Sequence, residues 1–264
     1  MNVRAKKHLG QHFLNDQNIA ERIVESLLRE DLPVLEVGPG TGVLTRLLLR
    51  GSRPVRFVEI DAEAAAYLSD TFPDIRGRLI QGDFLSLPLR DIFSTPFSII
   101  GNFPYNISSQ IFFRVLEHRD LIPEVVCMIQ KEVAERIAAP PGSKTYGILS
   151  VLLQAYFRIE YLFTVHEHVF SPPPKVKSAV IRLTRDPSIP LPCEETLFRQ
   201  VVKTGFNQRR KTLSNSLKSL LNGHKPQESI FSKRPEQLSV QEFATLTNLV
   251  AGFRACPPTL QPTE

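Results

Sequence analysis

A doubly wound α/β domain followed by a small helical domain is the architecture that the sequence predicts. Three observations carry it. Short apolar runs alternate with helix-period segments through the first two thirds of the chain, the texture changes after Thr184, and apolar residues then recur only at helical spacing.

The elements follow in order. Val34-Leu35-Glu36-Val37 reads as a buried strand, because a continuous apolar run bounded by turn signals suits a strand covered on both faces. A Gly-rich turn leads into a helix through Leu44, Leu47 and Leu48. Val55-Arg56-Phe57-Val58 is a second strand, and an Ala-rich helix runs from Ala62 to Ser69. Further strands are expected at Leu79-Ile80, from Phe97 to Ile100 and from Val125 to Ile129. Tyr161 to Val165 and Val176 to Leu183 are joined across Pro172-Pro173-Pro174, which suits an antiparallel pair better than a helical crossover. Asp186-Pro187 and Pro190-Leu191-Pro192 form a linker. Leu197, Val201 and Val202 then mark one helix; Leu213, Leu217, Leu220 and Leu221 mark a second, closed by Asn222-Gly223; Phe243, Leu246, Leu249 and Val250 mark a third. The predicted domains are 1–184 and 185–256, with the Pro-rich stretch 257–264 as a flexible tail.

A chain of 264 residues, 42% hydrophobic and 22% charged, has the composition of a soluble globular protein with one large and one small domain. No run approaches the length of a membrane span. The start, with Arg4, Lys6 and Lys7 before Leu9-Gly10-Gln11, lacks the apolar core of a signal peptide, so a cytoplasmic location is expected. Cys127, Cys193 and Cys256 are too few and too scattered for a disulfide framework or a zinc site. His166 and His168 find no third ligand, and no metal is expected. The net charge of +5 is unevenly placed. Residues 1–184 hold 21 basic and 20 acidic side chains, whereas 185–264 hold 11 and 7, as a nucleic-acid-binding appendage would have it.

Glu36-Val37-Gly38-Pro39-Gly40-Thr41-Gly42 joins the first strand to its helix. Gly38 and Gly40 let the backbone pass close to a ligand at a helix N-terminus. A dinucleotide loop would place a third glycine where Val43 stands. That departure, with an acid two residues before the first glycine, favours S-adenosylmethionine, whose ammonium group needs acceptors and which has no pyrophosphate to cradle. Glu59, at the end of the second strand, can accept both ribose hydroxyls; Asp61 suits a helix cap. Asp83 of Gly82-Asp83-Phe84 can accept from the adenine amine and Phe84 can pack on its ring, although Gly-Asp alone is also an ordinary turn.

Asn102-Phe103-Pro104-Tyr105 closes another apolar strand. An exocyclic amine on a purine is a poor nucleophile, since its lone pair is delocalised into the ring. The Asn102 side-chain oxygen and the Phe103 carbonyl offer two acceptors for its N–H groups. Pro104 fixes the backbone so that this carbonyl can point outward, and Tyr105 offers a face for the base. Read alone, the tetrapeptide is equally a strand-end turn. Phe170, before three prolines, is an aromatic on a stiffened loop suited to clamping a flipped base, or else a hairpin anchor. Arg209-Arg210-Lys211, read as a helix start, sets cations where the dipole disfavours them, which makes sense beside phosphates; a solvated charge run is the plain alternative.

With these residues in view, the chain resembles the ribosomal RNA small-subunit adenine N6,N6-dimethyltransferases, which modify two adjacent adenines near the 3′ end of the small-subunit RNA. The resemblance spans nearly the whole chain. It rests on Lys7 to Leu14, the Glu36 to Gly42 loop, Glu59, Gly82-Asp83, Asn102 to Tyr105, Phe170 to Val176, and Phe206 to Leu213. It implies a Rossmann-like S-adenosylmethionine-dependent methyltransferase core and a monomer acting on the pre-30S particle. By resemblance His12 and Leu14 join Gly38, Gly40, Glu59, Asp83, Phe84 and Asn102 around the cofactor, and Phe170 faces Tyr105 across the base. Lys175 joins Arg209, Arg210 and Lys211 in contact with RNA. His12 stands where Asn is frequent, and Phe103 replaces a smaller aliphatic. The rival readings are a large-subunit adenine methyltransferase of the antibiotic-resistance type, a DNA adenine methyltransferase, and a non-catalytic ribosome assembly factor.

Overall fold

The computed structural model describes residues 3–188 and 190–255. They belong to two compact units. One takes the chain up to Glu135 together with Phe157–Asp186; the other takes Arg136–Tyr156 and the chain from Pro187 onward. This division differs from the expected domains 1–184 and 185–256 in that the first unit runs to Asp186 and residues 136–156 go with the second. Periodicity identifies a helix but says nothing of which core it joins. The expected tail, 257–264, lies outside the described residues.

The first unit begins with β1 (Phe13–Leu14) and α1 (Gln17–Glu25), whose start is capped by Asp16 accepting from the Ile19 amide at 3.0 Å, a bond worth about 1 kcal/mol. Next come β2 (Val34–Val37), α2 (Val43–Leu48), β3 (Val55–Glu59), α3 (Ala62–Thr71), β4 (Leu79–Gln81), α4 (Leu89–Ile92), β5 (Ser98–Asn102), α5 (Ser108–Glu117) and β6 (Glu124–Gln130). The short helix α6 (Lys131–Ala138) carries the chain into the second unit, where α7 (Ile148–Gln154) follows. The chain returns with β7 (Phe157–Val165), β8 (Phe170–Ser171) and β9 (Ser178–Arg185).

Seven strands form one sheet in the order β4-β3-β2-β5-β6-β9-β7. Strands β2 to β6 run parallel, while β9 is antiparallel to both β6 and β7, as the triple-proline connection foretold. All four residues of β2 are buried, and so are the first four of β5, because helices cover both faces. Glu124 is buried at the start of β6, where its carboxylate accepts from the Leu28 amide at 2.8 Å and from Ser98 Oγ at 2.8 Å. Separately, β1 pairs antiparallel with β8, Leu14 opposite Phe170.

In the second unit, α8 (Glu195–Asn207) is followed closely by α9 (Leu213–Ser216), and three 3₁₀ turns, Lys218–Leu220, Ser229–Ser232 and Pro235–Gln237, lead from there to α10 (Val240–Ala255). Glu194 caps α8 by accepting from the Thr196 and Leu197 amides, both at 2.6 Å. Its core gathers Phe198, Val201, Val202, Leu213, Phe243, Leu246 and Val250. The stretch from Leu213 to Leu221 is not the single helix expected: α9 ends at Ser216 and a 3₁₀ turn spans Lys218–Leu220. Ser214, Asn215, Ser216 and Ser219 are weak helix formers, and the three-residue period of a 3₁₀ turn still buries Leu217 and Leu220. Asn222 and Gly223, at φ 48° and 82°, close it in the left-handed region as expected.

Candidate active site

The strand order reverses at β2, which has β3 on one side and β5 on the other. A crevice opens there beyond the carboxyl ends of parallel strands, where doubly wound sheets bind ligands. It is lined by Gly38 and Gly40 after β2, Glu59 and Ile60 at the end of β3, Asp83 and Phe84 after β4, and Asn102 to Tyr105 from β5. Residues Leu9 to Phe13 complete it.

On the β3 side the geometry fits a nucleoside. Gly40 has φ 57°, and a Cβ there would meet the Phe13 ring at 2.9 Å, so only glycine lets the loop take this left-handed turn against Phe13. Glu59 is 3% exposed; its Oε2 accepts from the Gly40 amide at 3.0 Å and its Oε1 from the Asp61 amide at 2.9 Å. Burial pushes its carboxyl above the ordinary carboxylate value, although both amides oppose the shift. Asp61 caps α3 as expected, accepting from the Glu63 amide at 3.0 Å. Asp83 spends one oxygen on the Leu85 amide at 2.9 Å, the turn that Gly-Asp suggests, and has a second oxygen for a ligand. Ile60 is 49% exposed and, with Phe84, gives the cleft apolar walls. Sequence reasoning missed Ile60, although an apolar residue directly after a strand-end acid was its signal.

Glu36 does not serve as a ligand acceptor. It is 1% exposed and takes the Thr45 hydroxyl at 2.7 Å. Its pKa is pushed up to about 8, by burial first, with the Thr45 bond opposing and the charge of Glu59 adding. Period-two alternation explains the outcome: Glu36 points to the α2 side of β2.

On the β5 side, Asn102 Nδ2 donates to the His12 carbonyl at 2.8 Å. A carbonyl can only accept, so the amide is oriented and Oδ1 is turned away as a free acceptor. The Phe103 amide is held by the Met128 carbonyl at 3.0 Å, and its ring is buried edge-on to Phe112. Phe103 therefore meets the cleft through its backbone, as its larger side chain requires. The Tyr105 hydroxyl shares a 2.5 Å bond with Ser178 Oγ, and burial raises its pKa. His12 packs its ring 5.3 Å from that of Tyr105, and its Nδ1 donates to the Pro172 carbonyl at 2.8 Å.

Leu14 and Phe170, expected at the cofactor and the base, have their side chains elsewhere. Leu14 is 4% exposed and Phe170 is 3% exposed; they sit opposite each other in the β1–β8 pair, within the core that includes Met128 and Val180. Neither lines the cleft. Both are large apolar groups on two-residue strands, and the core claims them. The aromatic ring beside Tyr105 is that of His12.

In the second unit, Arg209-Arg210-Lys211 follows the C-terminus of α8, and α9 starts only at Leu213. The helix-start argument is therefore corrected: a cation just past a helix C-terminus is favoured by the dipole. Arg209 is also engaged within the unit, donating to the Ser143 carbonyl at 3.2 Å and standing 3.9 Å from Glu236 Oε2. Arg210 and Lys211 are exposed, as is Lys175 in the first unit. Among the described residues no His, Cys, Asp or Glu cluster suits a metal ion, and no helix is long and apolar enough to cross a membrane.

The ribosomal RNA adenine dimethylase family model matches residues 2–251. The chain is 60% identical over 252 residues to the ribosomal RNA small subunit methyltransferase A of Phocaeicola vulgatus, covering 94% of this chain and 90% of that one. It is 59% identical over 254 residues to the protein of the same name from Cytophaga hutchinsonii, covering 95% and 98%. Among solved structures, a dimethyladenosine transferase from Plasmodium falciparum shares the fold, with a TM-score of 0.76 at 24% identity over 92% of this chain and 98% of that one. The 23S rRNA methyltransferase ErmE gives a TM-score of 0.67 at 30% identity over 89% and 99%.

Proposed function

The chain belongs to the ribosomal RNA adenine dimethylase family, and from that premise we propose that it dimethylates the N6 amines of two adjacent adenines near the 3′ end of small-subunit ribosomal RNA. The methyl donor is S-adenosylmethionine, and the substrate is the RNA in the assembling small-subunit particle. We read the enzyme as a cytoplasmic monomer that uses no metal. The large-subunit alternative is disfavoured by 60% identity to small-subunit methyltransferases against 30% to ErmE.

The observation that carries the reading is the Asn102 amide, which lines the cleft and whose Nδ2 is spent on the His12 carbonyl, so that its oxygen is left as the acceptor. That oxygen and the Phe103 carbonyl grip the adenine amine and draw its lone pair out of conjugation. Tyr105 supports the base. Gly38, Gly40, Glu59, Asp83, Ile60 and Phe84 hold the donor, with Glu59 accepting from the ribose. The donor supplies an electrophilic methyl on a sulfonium, so neither a covalent enzyme intermediate nor a strong base is required. The amine becomes acidic only as it is alkylated, and its proton leaves afterwards. What the protein contributes is position and a fixed array of acceptors. For the second transfer the same grip must accept a monomethylated nitrogen with one N–H left.

Incubation of the protein with labelled donor and immature small subunits, followed by mapping of modified bases, tests this. Two methyls on each of two adjacent adenines near the 3′ end are expected. Label on large-subunit RNA alone, or none, would reject the reading.

A further inference from the structure

The segment Lys6 to Phe13 crosses the cleft as a strap, and it is tied at both ends. At the donor end, Lys6 Nζ pairs with the Asp61 carboxylate and lies 3.5 Å from Glu63. Gln11 Nε2 donates to Asp61 Oδ2 at 3.1 Å, while Gln11 Oε1 accepts from the Lys6 amide at 2.8 Å. The Asp61 side chain is fully buried, and the Asp61 amide donates to Glu59. Midway, Asn106 Nδ2 donates to the His8 carbonyl at 3.3 Å. At the acceptor end, the His12 carbonyl takes Asn102 Nδ2 and the His12 ring donates to the Pro172 carbonyl.

Capping α3 needs only one acceptor from Asp61, yet this buried carboxylate also takes Lys6 and Gln11. Burial pushes the Asp61 carboxyl up, but the bonds from Lys6, Gln11 and the Glu63 amide outweigh it and hold the group below its ordinary value, charged. Ahead of its C-terminal anchor in β1, the strap has no buried residue from Lys6 to His12. Polar contacts fix its place, and the carbonyl that orients Asn102 belongs to it. Whatever loosens the Asp61 end beside the ribose acceptor therefore loosens the amine grip.

Resting on the function proposed above, we infer that Lys6, Gln11 and Asp61 form a latch whose closure positions Asn102, so that the strap couples donor retention to methyl transfer. These are positioning residues, since they act through His12.

The test uses the full chain with Lys6→Met and Gln11→Ala combined, leaving the helix cap Asp61 intact. Donor dissociation is followed by stopped flow, and single-turnover transfer to immature small subunits is measured at saturating donor. Dissociation should quicken about fivefold, and transfer should slow about tenfold even at saturation. The melting temperature should fall by several degrees, because the buried Asp61 carboxylate loses its cation, so both rates are read well below the variant's own melting point. Lys6→Arg, with Gln11 intact, should restore both rates. Unchanged dissociation, or transfer that recovers fully at saturating donor, overturns the latch. Failure of the wild type to methylate overturns the functional reading instead, and the dissociation experiment then judges the latch by itself.

Discussion

Two buried carboxylates on the neighbouring strands β2 and β3, Glu36 and Glu59, take opposite roles, and each gives a measurable consequence. For Glu36 the pKa rises from the ordinary 4.5 to about 8 on folding. The folded protein keeps this proton while the unfolded chain has already lost it, so stability is full below about pH 4.5 and falls as pH rises towards 8. Glu36→Gln keeps an acceptor for Thr45 and removes the penalty. Urea unfolding should show the variant gaining on the wild type by a few kcal/mol, on the order of the linked shift, between pH 5 and 8.5; parallel pH profiles would reject it. Glu59 is the acceptor that must stay ionised. Glu59→Gln preserves its shape and should weaken donor binding by about 1–3 kcal/mol in calorimetry. Wild-type affinity should itself decline as acid titrates this raised carboxyl. Asn102→Ala should abolish most turnover while RNA binding stays near normal; near-normal methylation would sink the amine grip. That Glu59, Asp83 and Asn102 line the cleft was legible in the sequence, because each lies at or just past the end of a parallel strand on the same edge. The buried side-chain directions of Leu14, Phe170 and Glu36 were not, because they depend on which way a side chain points from a short or buried strand.

The elements themselves were legible wherever burial on both faces wrote a continuous apolar run, as in β2, β3, β5 and β6. The antiparallel β7–β9 pair was legible from the length of its connection. Strands β1 and β8, two residues each, leave no periodicity to read. Nor does a helix pattern reveal that residues 136–156 join the second unit. One element contact is set by a single missing side chain. A Cβ at Gly101 in β5 would clash with the Val37 carbonyl oxygen of β2 and meet the Phe103 ring at 3.1 Å. Gly101→Ala must part β5 from β2 at the switch point where the cleft opens. We expect a loss of about 2 kcal/mol or more, seen as a lower urea midpoint at unchanged slope. Donor affinity should fall with it, since Gly38 and Asn102 are carried by those two strands. A variant of wild-type stability would show that the sheet yields there freely.

At the scale of the whole molecule, charge divides the labour. The first 184 residues are nearly balanced, and the excess of basic over acidic side chains lies in the final third. The triplet after α8 was legible as a cluster, but its members are not equivalent. Arg209 is partly consumed by Ser143 and Glu236, whereas Arg210 and Lys211 are exposed. Phosphate contacts should therefore come mainly from the latter two. Arg210→Gln with Lys211→Gln should weaken binding to immature small subunits and flatten its salt dependence, each lost phosphate contact removing up to about one unit of slope. Thermal stability and donor binding should not move, because neither side chain supports the fold or the cleft. Arg209→Gln should do the reverse, leaving most of the slope and costing at most about 1 kcal/mol of stability, as a partly exposed pair does. Binding curves at several salt concentrations for wild type and both variants decide between this division and a merely solvated cluster. Parallel lines without offset for the double variant would mean that the RNA is held elsewhere.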